Sequence, residues 1–194
     1  MAPMTLTRRF EEAIEYANRF QGSQKRKGTN VPYLAHLLEV ASIVLQHGGD
    51  EDEAIAGLLH DAPEDAGGHE RLADIRERFG DRVADIVDGC TDTYETPKPD
   101  WRPRKEAYLA RIPCLLPSAR LVSAADKLAN ARALLDDYRS LGDRLWDRFD
   151  GGPDTPWYYR AAADAFLKAE RNILAERLHL VVTELCRITG YQAY

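Results

Sequence analysis

Residues 57–65, "GLLHDAPED", place one imidazole and three carboxylates within six positions. His60 stands beside Asp61, and the acidic pair Glu64 and Asp65 follows after two intervening residues. Like charges at this spacing repel one another unless a positive group lies among them. The stretch therefore predicts a functional cluster, and a divalent metal ion is the simplest partner that holds His60 and Asp61 together.

Pro63 predicts a helix end within this stretch. The residue before a proline avoids the helical region, so a helix that starts at Asp50 or Asp52 is expected to end near Asp61. Adjacent side chains point about 100° apart on an ideal helix. His60 and Asp61 therefore reach a single ion best where the backbone bends, which is at such an end.

Two further candidate ligands lie on other predicted helices. His36 stands in the apolar stretch "PYLAHLLEVA" (32–41), and Asp126 stands among small and apolar residues in "LVSAADKLANARALL" (121–135). Two imidazoles and two carboxylates from three helices suit Mn²⁺, Fe²⁺ or Zn²⁺, and the oxygen ligands favour manganese.

Each of these residues also has a purely structural interpretation. A histidine on an apolar helix is commonly a core residue, and a lone buried aspartate is commonly a cap or an ion-pair partner. Glu64 and Asp65 would also suit the acidic first turn of a following helix. The order His, His-Asp, Asp, with a further Glu-Asp pair, favours a metal site over these separate explanations.

The spacing of apolar residues predicts an all-α protein. At 194 residues the chain suits a single domain, residues 1–194, with a sizeable core. Apolar residues recur at helical spacing, and no stretch alternates as a β-strand does. About nine helices are expected. The first runs from Thr5 or Thr7 to about Phe20, and the others with stated bounds span 33–47, 50–61, 69–79, 81–91, 104–114, 118–139 and 155–189, with loops at 21–32 and 92–103.

Composition limits the classes of partner. The chain has 26 basic and 32 acidic side chains, a net charge of −6, which disfavours general nucleic-acid binding and adhesion to anionic membranes. No apolar run approaches the roughly 18 residues of a membrane span, and the N-terminal stretch lacks a signal-peptide core. The three cysteines form no C-x-x-C pair, which favours a reducing cytoplasm. Amphipathic surface helices permit a homodimer without requiring one.

Three motifs resemble those of one known family. "HDAPED" (60–65) fits the HDxxED signature of the hydrolase domain of RelA/SpoT-type alarmone enzymes, within the HD phosphohydrolase superfamily. "RKGTNVPYLAHLLEVA" (26–41) resembles the family's stretch in which an arginine precedes PYxxH, and "AADKLANARAL" (124–134) resembles its Asp-Lys/Arg-Leu-x-Asn-x-Arg segment. The resemblance covers residues 9–139, and the length is that of stand-alone small alarmone hydrolases.

This resemblance implies a fold and assigns roles to the residues of the site. It implies an HD-type helical bundle with metal ligands at His36, His60, Asp61 and Asp126, and with Glu64 and Asp65 as the catalytic pair. Hydrolysis of a phosphate ester needs a positioned water, a base and stabilisation of the phosphoryl oxygens. The proposed division of metal ligands and catalytic carboxylates supplies these needs.

A substrate with four or five phosphates also needs cations, and basic residues lie beside the ligand-bearing segments. The resemblance implies that Arg26 stacks on the guanine base with Lys25 or Lys27 as its neighbour. Arg104 and Lys105 would clamp the distal phosphates, Asn130 would contact the ribose or fix its neighbours, and Tyr158 would line the base pocket. For each basic run, a solvated loop or helix face is the alternative.

The expected activity is metal-dependent hydrolysis of the 3′-pyrophosphate of (p)ppGpp to GDP or GTP and pyrophosphate. The stretch "LWDRFDGGPDTPWYYRAAADAF" (145–166) differs from the alarmone enzymes, so the identity of the substrate's base is not decided by the resemblance. The alternative is a phosphohydrolase of the same fold acting on (p)ppApp, NADPH or a nucleoside 5′-monophosphate. A hypothesis of another class is a non-catalytic helical module that binds a nucleotide or a partner protein.

Overall fold

The computed structural model describes residues 5–65, 67–95 and 97–192. Within them lie ten α-helices: α1 Arg8–Gln21, α2 Leu34–Gln46, α3 Glu51–Leu59, α4 Ala62–Asp65, α5 Gly68–Phe79, α6 Asp81–Cys90, α7 Trp101–Arg111, α8 Pro117–Leu141, α9 Thr155–Ala169 and α10 Ile173–Thr189. Short 3₁₀ helices follow α7 and α8 and precede α9. The described ranges contain no β-strand and a single isolated bridge, which joins Lys25 to Pro32. The predicted all-α fold class is confirmed.

The chain divides into two compact units that share α8. The first unit comprises Met1–Lys98 and Leu115–Ala125, and the second comprises Pro99–Cys114 and Asp126–Tyr194. The boundary falls inside a continuous helix, between Ala125 and Asp126. A single domain over the whole chain stays a prediction.

Helix α3 forms the centre of the first unit. All six residues from Ala54 to Leu59 are buried, and α3 packs against α1, α2 and α6. A capping box starts the helix, since Asp50 Oδ1 accepts from the Glu53 N–H and Glu53 Oε2 accepts from the Asp50 N–H. These bonds satisfy two backbone donors that a helix leaves open at its start.

Pro63 marks the junction between α3 and α4. Helix α3 ends at Leu59 rather than near Asp61, and a four-residue helix then starts at Ala62 with Pro63 in its first turn. A proline is tolerated there because the first turn needs no N–H from it. His60 and Asp61 therefore lie at the bend between two helices.

The second unit contains a helix pair where the sequence predicts one helix. Helix α9 ends at Ala169, Glu170 is extended, and α10 begins at Ile173. The Asn172 side chain accepts a hydrogen bond from the Ala175 N–H, 2.9 Å away, and this cap starts a new helix. The single helix predicted over 155–189 is therefore wrong.

The bounds of α7 also differ from the prediction. The helix begins at Trp101, inside the expected loop 92–103. Pro103 occupies its first turn, where a missing N–H is harmless. No helix in the described ranges combines the length and the apolar content needed to cross a membrane.

Candidate metal centre and catalytic site

His60 lies at the carboxyl end of α3 with its ring orientation fixed. Its Nδ1 is 2.9 Å from the carbonyl oxygen of Gly57. A carbonyl can only accept, so Nδ1 carries the hydrogen and Nε2 presents a lone pair. Nε2 lies 3.0 Å from Oδ2 of Asp61. This is the orientation in which histidines commonly bind metals.

His36 presents its ring to the same carboxylate from α2. Its Nε2 is 4.0 Å from Asp61 Oδ2, and its ring centroid is 5.5 Å from that of His60. The hydroxyl of Tyr33, just before α2, donates a hydrogen bond to the same Asp61 oxygen. The Asp61 carboxylate therefore contacts both imidazoles while a tyrosine holds it in place.

Asp126 is the ligand-type residue of α8. Its Oδ1 accepts from the side-chain amide of Asn130, and its Oδ2 accepts from Lys127 Nζ, both at 2.5 Å. Burial acts to lower the pKa of Lys127, but the Asp126 carboxylate and the neighbouring tyrosine hydroxyls outweigh it and raise this pKa well above its ordinary value. Lys127 is therefore a permanent cation.

Three of the predicted ligands converge. Within the described part of the chain, His36, His60 and Asp126 each offer one ligand atom, and these atoms lie within 4.8 Å of one another. The three residues are 1%, 2% and 5% exposed. Two imidazole nitrogens and a carboxylate oxygen are a donor set that Mn²⁺, Fe²⁺ and Zn²⁺ accept. The residues present therefore fit a divalent ion.

The adjacent carboxylates of α4 have different environments. Glu64 Oε1 pairs with Lys98 Nζ at 2.7 Å, and Oε2 accepts from the Asp92 N–H at 3.2 Å. Asp65 Oδ2 instead accepts from the side-chain amide of Gln21 at 3.1 Å. Glu64 is thus held by a cation and a backbone donor, whereas Asp65 is held by a neutral amide.

The surroundings of Asp65 raise the pKa of its carboxyl group to about 6. The main cause is desolvation of the carboxyl group among its neighbours, and the charge of Asp61 adds to it; Lys98 and the Gln21 amide act in the opposite direction. An acid with a pKa close to neutrality suits a group that exchanges a proton with water.

Several site residues were not predicted from the sequence. Gln21 and Lys98 bind the α4 carboxylates, yet one ends a long helix and the other lies in a proline-rich loop, so neither position carries a pattern that indicates a site. Tyr33 is the tyrosine of the PYxxH motif, and that motif could have pointed to it.

The basic loop before α2 folds back on itself. The Lys25 ammonium donates to Asn30 Oδ1 at 3.0 Å, and the Tyr33 N–H donates to the Gln24 carbonyl at 2.9 Å. The isolated bridge from Lys25 to Pro32 closes the same loop. Lys25 is exposed and Arg26 is half-buried, so this loop presents cations next to the segment that carries Tyr33.

The second unit gathers cations over aromatic rings. Lys105 Nζ lies 4.9 Å from the ring centroid of Tyr158, and Lys127 Nζ lies 5.1 Å from that of Tyr108. Both tyrosines are buried. Cation–π contacts fix such ammonium groups in place. The structure therefore brings two predicted substrate contacts, Lys105 and Tyr158, together, while Arg104 is half-buried on the same helix, α7.

The matching family model has the description "HD domain" and covers residues 13–145. This match covers more than half of the chain, and it includes His36, His60, Asp61 and Asp126. The chain belongs to the HD domain family, as the HDxxED motif predicts.

The curated relatives give a more particular likeness. The guanosine-3′,5′-bis(diphosphate) 3′-pyrophosphohydrolase of Xenopus tropicalis is 37% identical over 126 residues, covering 63% of this chain and 68% of that protein. The human protein of the same name is 36% identical over 126 residues with the same coverages. That of Aquifex aeolicus (strain VF5) is 35% identical over 124 residues, and the match spans only 17% of its length.

Solved structures share the fold. The structure of a metazoan orthologue of SpoT that hydrolyses ppGpp matches with a TM-score of 0.73 over 98% of this chain and 100% of that chain, at 23% identity. A Listeria monocytogenes structure matches with a TM-score of 0.66 over 83% of this chain and 99% of that chain, at 29% identity. The HD-type helical architecture is therefore confirmed.

Proposed function

We propose that this chain is a metal-dependent hydrolase that converts (p)ppGpp to GDP or GTP and pyrophosphate. The observation that carries the proposal is the convergence of His36, His60 and Asp126 in a chain of the HD domain family. Its relatives of comparable length bear the name of that activity. Hydrolysis of this alarmone would give the chain a role in the stringent response.

His36, His60, Asp61 and Asp126 would hold the ion, which we propose to be Mn²⁺, with Fe²⁺ or Zn²⁺ as alternatives. A bound divalent ion supplies positive charge to the phosphoryl oxygens and Lewis acidity to the reaction. Tyr33 and the Gly57 carbonyl keep Asp61 and His60 in binding orientation. Asn130 does the same for Asp126.

Glu64 and Asp65 form the proposed catalytic pair. Asp65 accepts a proton from the attacking water, for which its raised pKa is suited. Glu64 orients that water, and its carboxylate is fixed by Lys98 and by the Asp92 N–H. The water oxygen forms a bond to the phosphorus attached to the 3′ oxygen, and the bond between that phosphorus and the 3′ oxygen breaks. Its electron pair stays on the 3′ oxygen, which takes up the proton that Asp65 has accepted and becomes the 3′ hydroxyl of GDP or GTP, while pyrophosphate leaves.

The remaining residues of the proposed site bind the nucleotide. Lys25 and Arg26 contact the base, Arg104 and Lys105 the phosphates, and Tyr158 lines the base pocket. The fixed positions of Lys105 and Tyr158 support this assignment. Besides its contact with Asp126, Asn130 is proposed to face the ribose.

The proposed setting is a cytoplasmic enzyme with a small nucleotide substrate and no nucleic-acid or membrane partner. The net charge of −6 supports the absence of polyanionic partners. Among the described residues, Cys90, Cys114 and Cys186 form no disulfide, which supports a reducing compartment. A homodimer is compatible with the amphipathic helices.

A substrate panel tests the proposal. The metal-stripped protein is reloaded with Mn²⁺, Fe²⁺, Zn²⁺ or Mg²⁺ and incubated with ppGpp, pppGpp, ppApp, NADPH and nucleoside 5′-monophosphates, and products are identified by chromatography. The expected result is pyrophosphate with GDP or GTP, fastest with Mn²⁺. If ppGpp stays intact while NADPH or a 5′-monophosphate is cleaved, the alternative phosphohydrolase is correct. If no substrate is cleaved, the non-catalytic module gains support.

A further inference from the structure

Gln21, the last residue of α1, places an amide against the proposed catalytic pair. The side chain is 0% exposed, and its Nε2 lies 3.1 Å from Asp65 Oδ2. The two residues are 44 positions apart in sequence, and both belong to the first unit. The contact is therefore a product of the packing of α1 against α4.

Asp65 decides the orientation of this amide. In the flipped orientation, Gln21 Oε1 would face the carboxylate, and two acceptors would repel each other. Gln21 Oε1 has no hydrogen-bond partner among the described residues. A buried acceptor left in this way lowers stability, so packing alone does not account for a glutamine at this position. The amide is explained more simply by what it does to Asp65.

Contacts with α5 hold the end of α1, from which Gln21 extends. The Arg71 guanidinium of α5 lies 3.6 Å from the ring centroid of Phe20 and donates to the Tyr16 hydroxyl at 3.1 Å. These contacts bind the last turns of α1 to α5. The Gln21 amide thus extends from a helix end that is held in place, and its hydrogen bond restrains the Asp65 carboxylate.

We propose that Gln21 is a positioning residue for the hydrolysis, and this inference rests on the proposed function. The amide binds Oδ2 and leaves Oδ1 of Asp65 to take the proton of the attacking water. Gln21 acts through Asp65 and does not contact the substrate. Its loss should therefore affect turnover more than substrate binding.

The test compares Q21M and Q21E with the control Q46M. Methionine matches the length of glutamine without a donor, and glutamate matches its shape but repels Asp65. Gln46 is an exposed glutamine on α2 that bonds only to Ser42 in the described contacts. We expect kcat to fall about 10- to 100-fold in both Gln21 variants with KM within about twofold, and no change in Q46M.

Combining Q21M with D65N distinguishes a role of Gln21 in positioning Asp65 from a role in supporting the fold. If Gln21 acts through Asp65, Q21M lowers the residual kcat of D65N no further, because the group it positions is already gone. A further fall in D65N, an unchanged kcat in Q21M, or an equal change in KM would overturn the inference while leaving the proposed function intact. A wild-type chain that hydrolyses no nucleotide would overturn both.

Discussion

Glu64 and Asp65 are neighbours in sequence, but their carboxylates face opposite charges. The Lys98 ammonium lies directly on Glu64, whereas Asp65 faces the Asp61 carboxylate and a neutral amide. Two neighbouring carboxyl groups in such different environments commonly take different roles in catalysis. The separation favours the proposed roles, in which Glu64 orients the water and Asp65 accepts its proton.

Asp65 gives the stability of the metal-free protein a defined pH dependence. Its pKa is about 6 when folded and about 3.9 when unfolded. The folded state thus binds the proton more tightly, and stability falls as pH rises through this interval. We expect metal-free D65N to exceed the wild type by roughly 1 kcal/mol at pH 7, a value reduced for partial solvation, and the gain to vanish below about pH 4.

Urea denaturation of both proteins at pH 7 and pH 4 measures this difference. Titration of the carboxyl resonances by NMR provides an independent check, since D65N should remove the one that titrates near pH 6. An equal stability difference at both pH values would contradict the assigned cause.

Removing the charge of Glu64 should affect turnover and little else. In E64Q the shape of the side chain and its contact with the Asp92 N–H persist, while the ion pair with Lys98 is lost. We expect kcat to fall about 10²- to 10⁴-fold, with metal content and circular dichroism unchanged. E77Q, an exposed position on α5, is the matched control and should retain full activity.

At the level of residues, the sequence predicted those side chains whose chemistry conflicts with their surroundings. His36 and Asp126 stand on apolar helices, and the imidazole and three carboxylates of 60–65 lie close together, so each is conspicuous. Gln21 and Lys98 are ordinary residues for a helix end and a loop. Their roles arise only when folding places α1 and the loop against α4, and no local pattern records that contact.

Among the elements, α2 and α3 depend on one glycine. A Cβ at position 57 would lie 3.2 Å from Ala41 Cα and 3.3 Å from Ala41 N, tighter than backbone atoms readily accept. The same residue gives its carbonyl to His60 Nδ1. Gly57 therefore sets both the approach of the two helices and the orientation of the histidine at the end of α3.

We expect G57A to weaken metal binding and stability together. Alanine gains about 1 kcal/mol in helix propensity, but overpacking against backbone costs about 1–3 kcal/mol, and any shift of α3 moves His60 away from His36. Urea denaturation measures the loss of stability, and competition with a metal-binding dye measures the loss of metal affinity. A54G, in the same helix, should lose stability yet keep its metal affinity once folded. Full metal affinity in G57A would refute this account.

Element boundaries were predictable where side chains mark them locally. The capping residue Asp50 and the turn before Pro63 were read from the sequence to within a few residues. The break before α10 was missed because Glu170 and Arg171 suit a helix, and only the Asn172 cap distinguishes the alternative. A capping bond of about 1 kcal/mol is enough to decide between one helix and two, and composition does not reveal it.

For the molecule as a whole, periodicity predicted the fold class but not its division. The boundary between the two units falls between Ala125 and Asp126 of helix α8, and no glycine or proline interrupts the helix there. The long-range contacts that define each unit are absent from any local window. A chain whose apolar residues recur at helical spacing throughout can therefore form two compact groups of helices.

Metal binding should stabilise the molecule as a whole, since the proposed ligands come from α2, the end of α3 and α8. A ligand that binds only the folded state adds about 2.7 kcal/mol at one hundred times its Kd, which raises the Tm of a chain of this size by about 5–10 °C. We expect Mn²⁺ to produce this shift in thermal unfolding and EDTA to reverse it. H60Q and H36Q should abolish the shift.

H179Q is the matched control, because His179 lies on α10 beside Asp164 and outside the converging set. It should keep the full Mn²⁺-dependent rise in Tm. A rise that survives in H60Q and H36Q would mean that the ion binds elsewhere. The buried histidines would then be core residues, and the chain would lose the metal site on which its proposed hydrolysis depends.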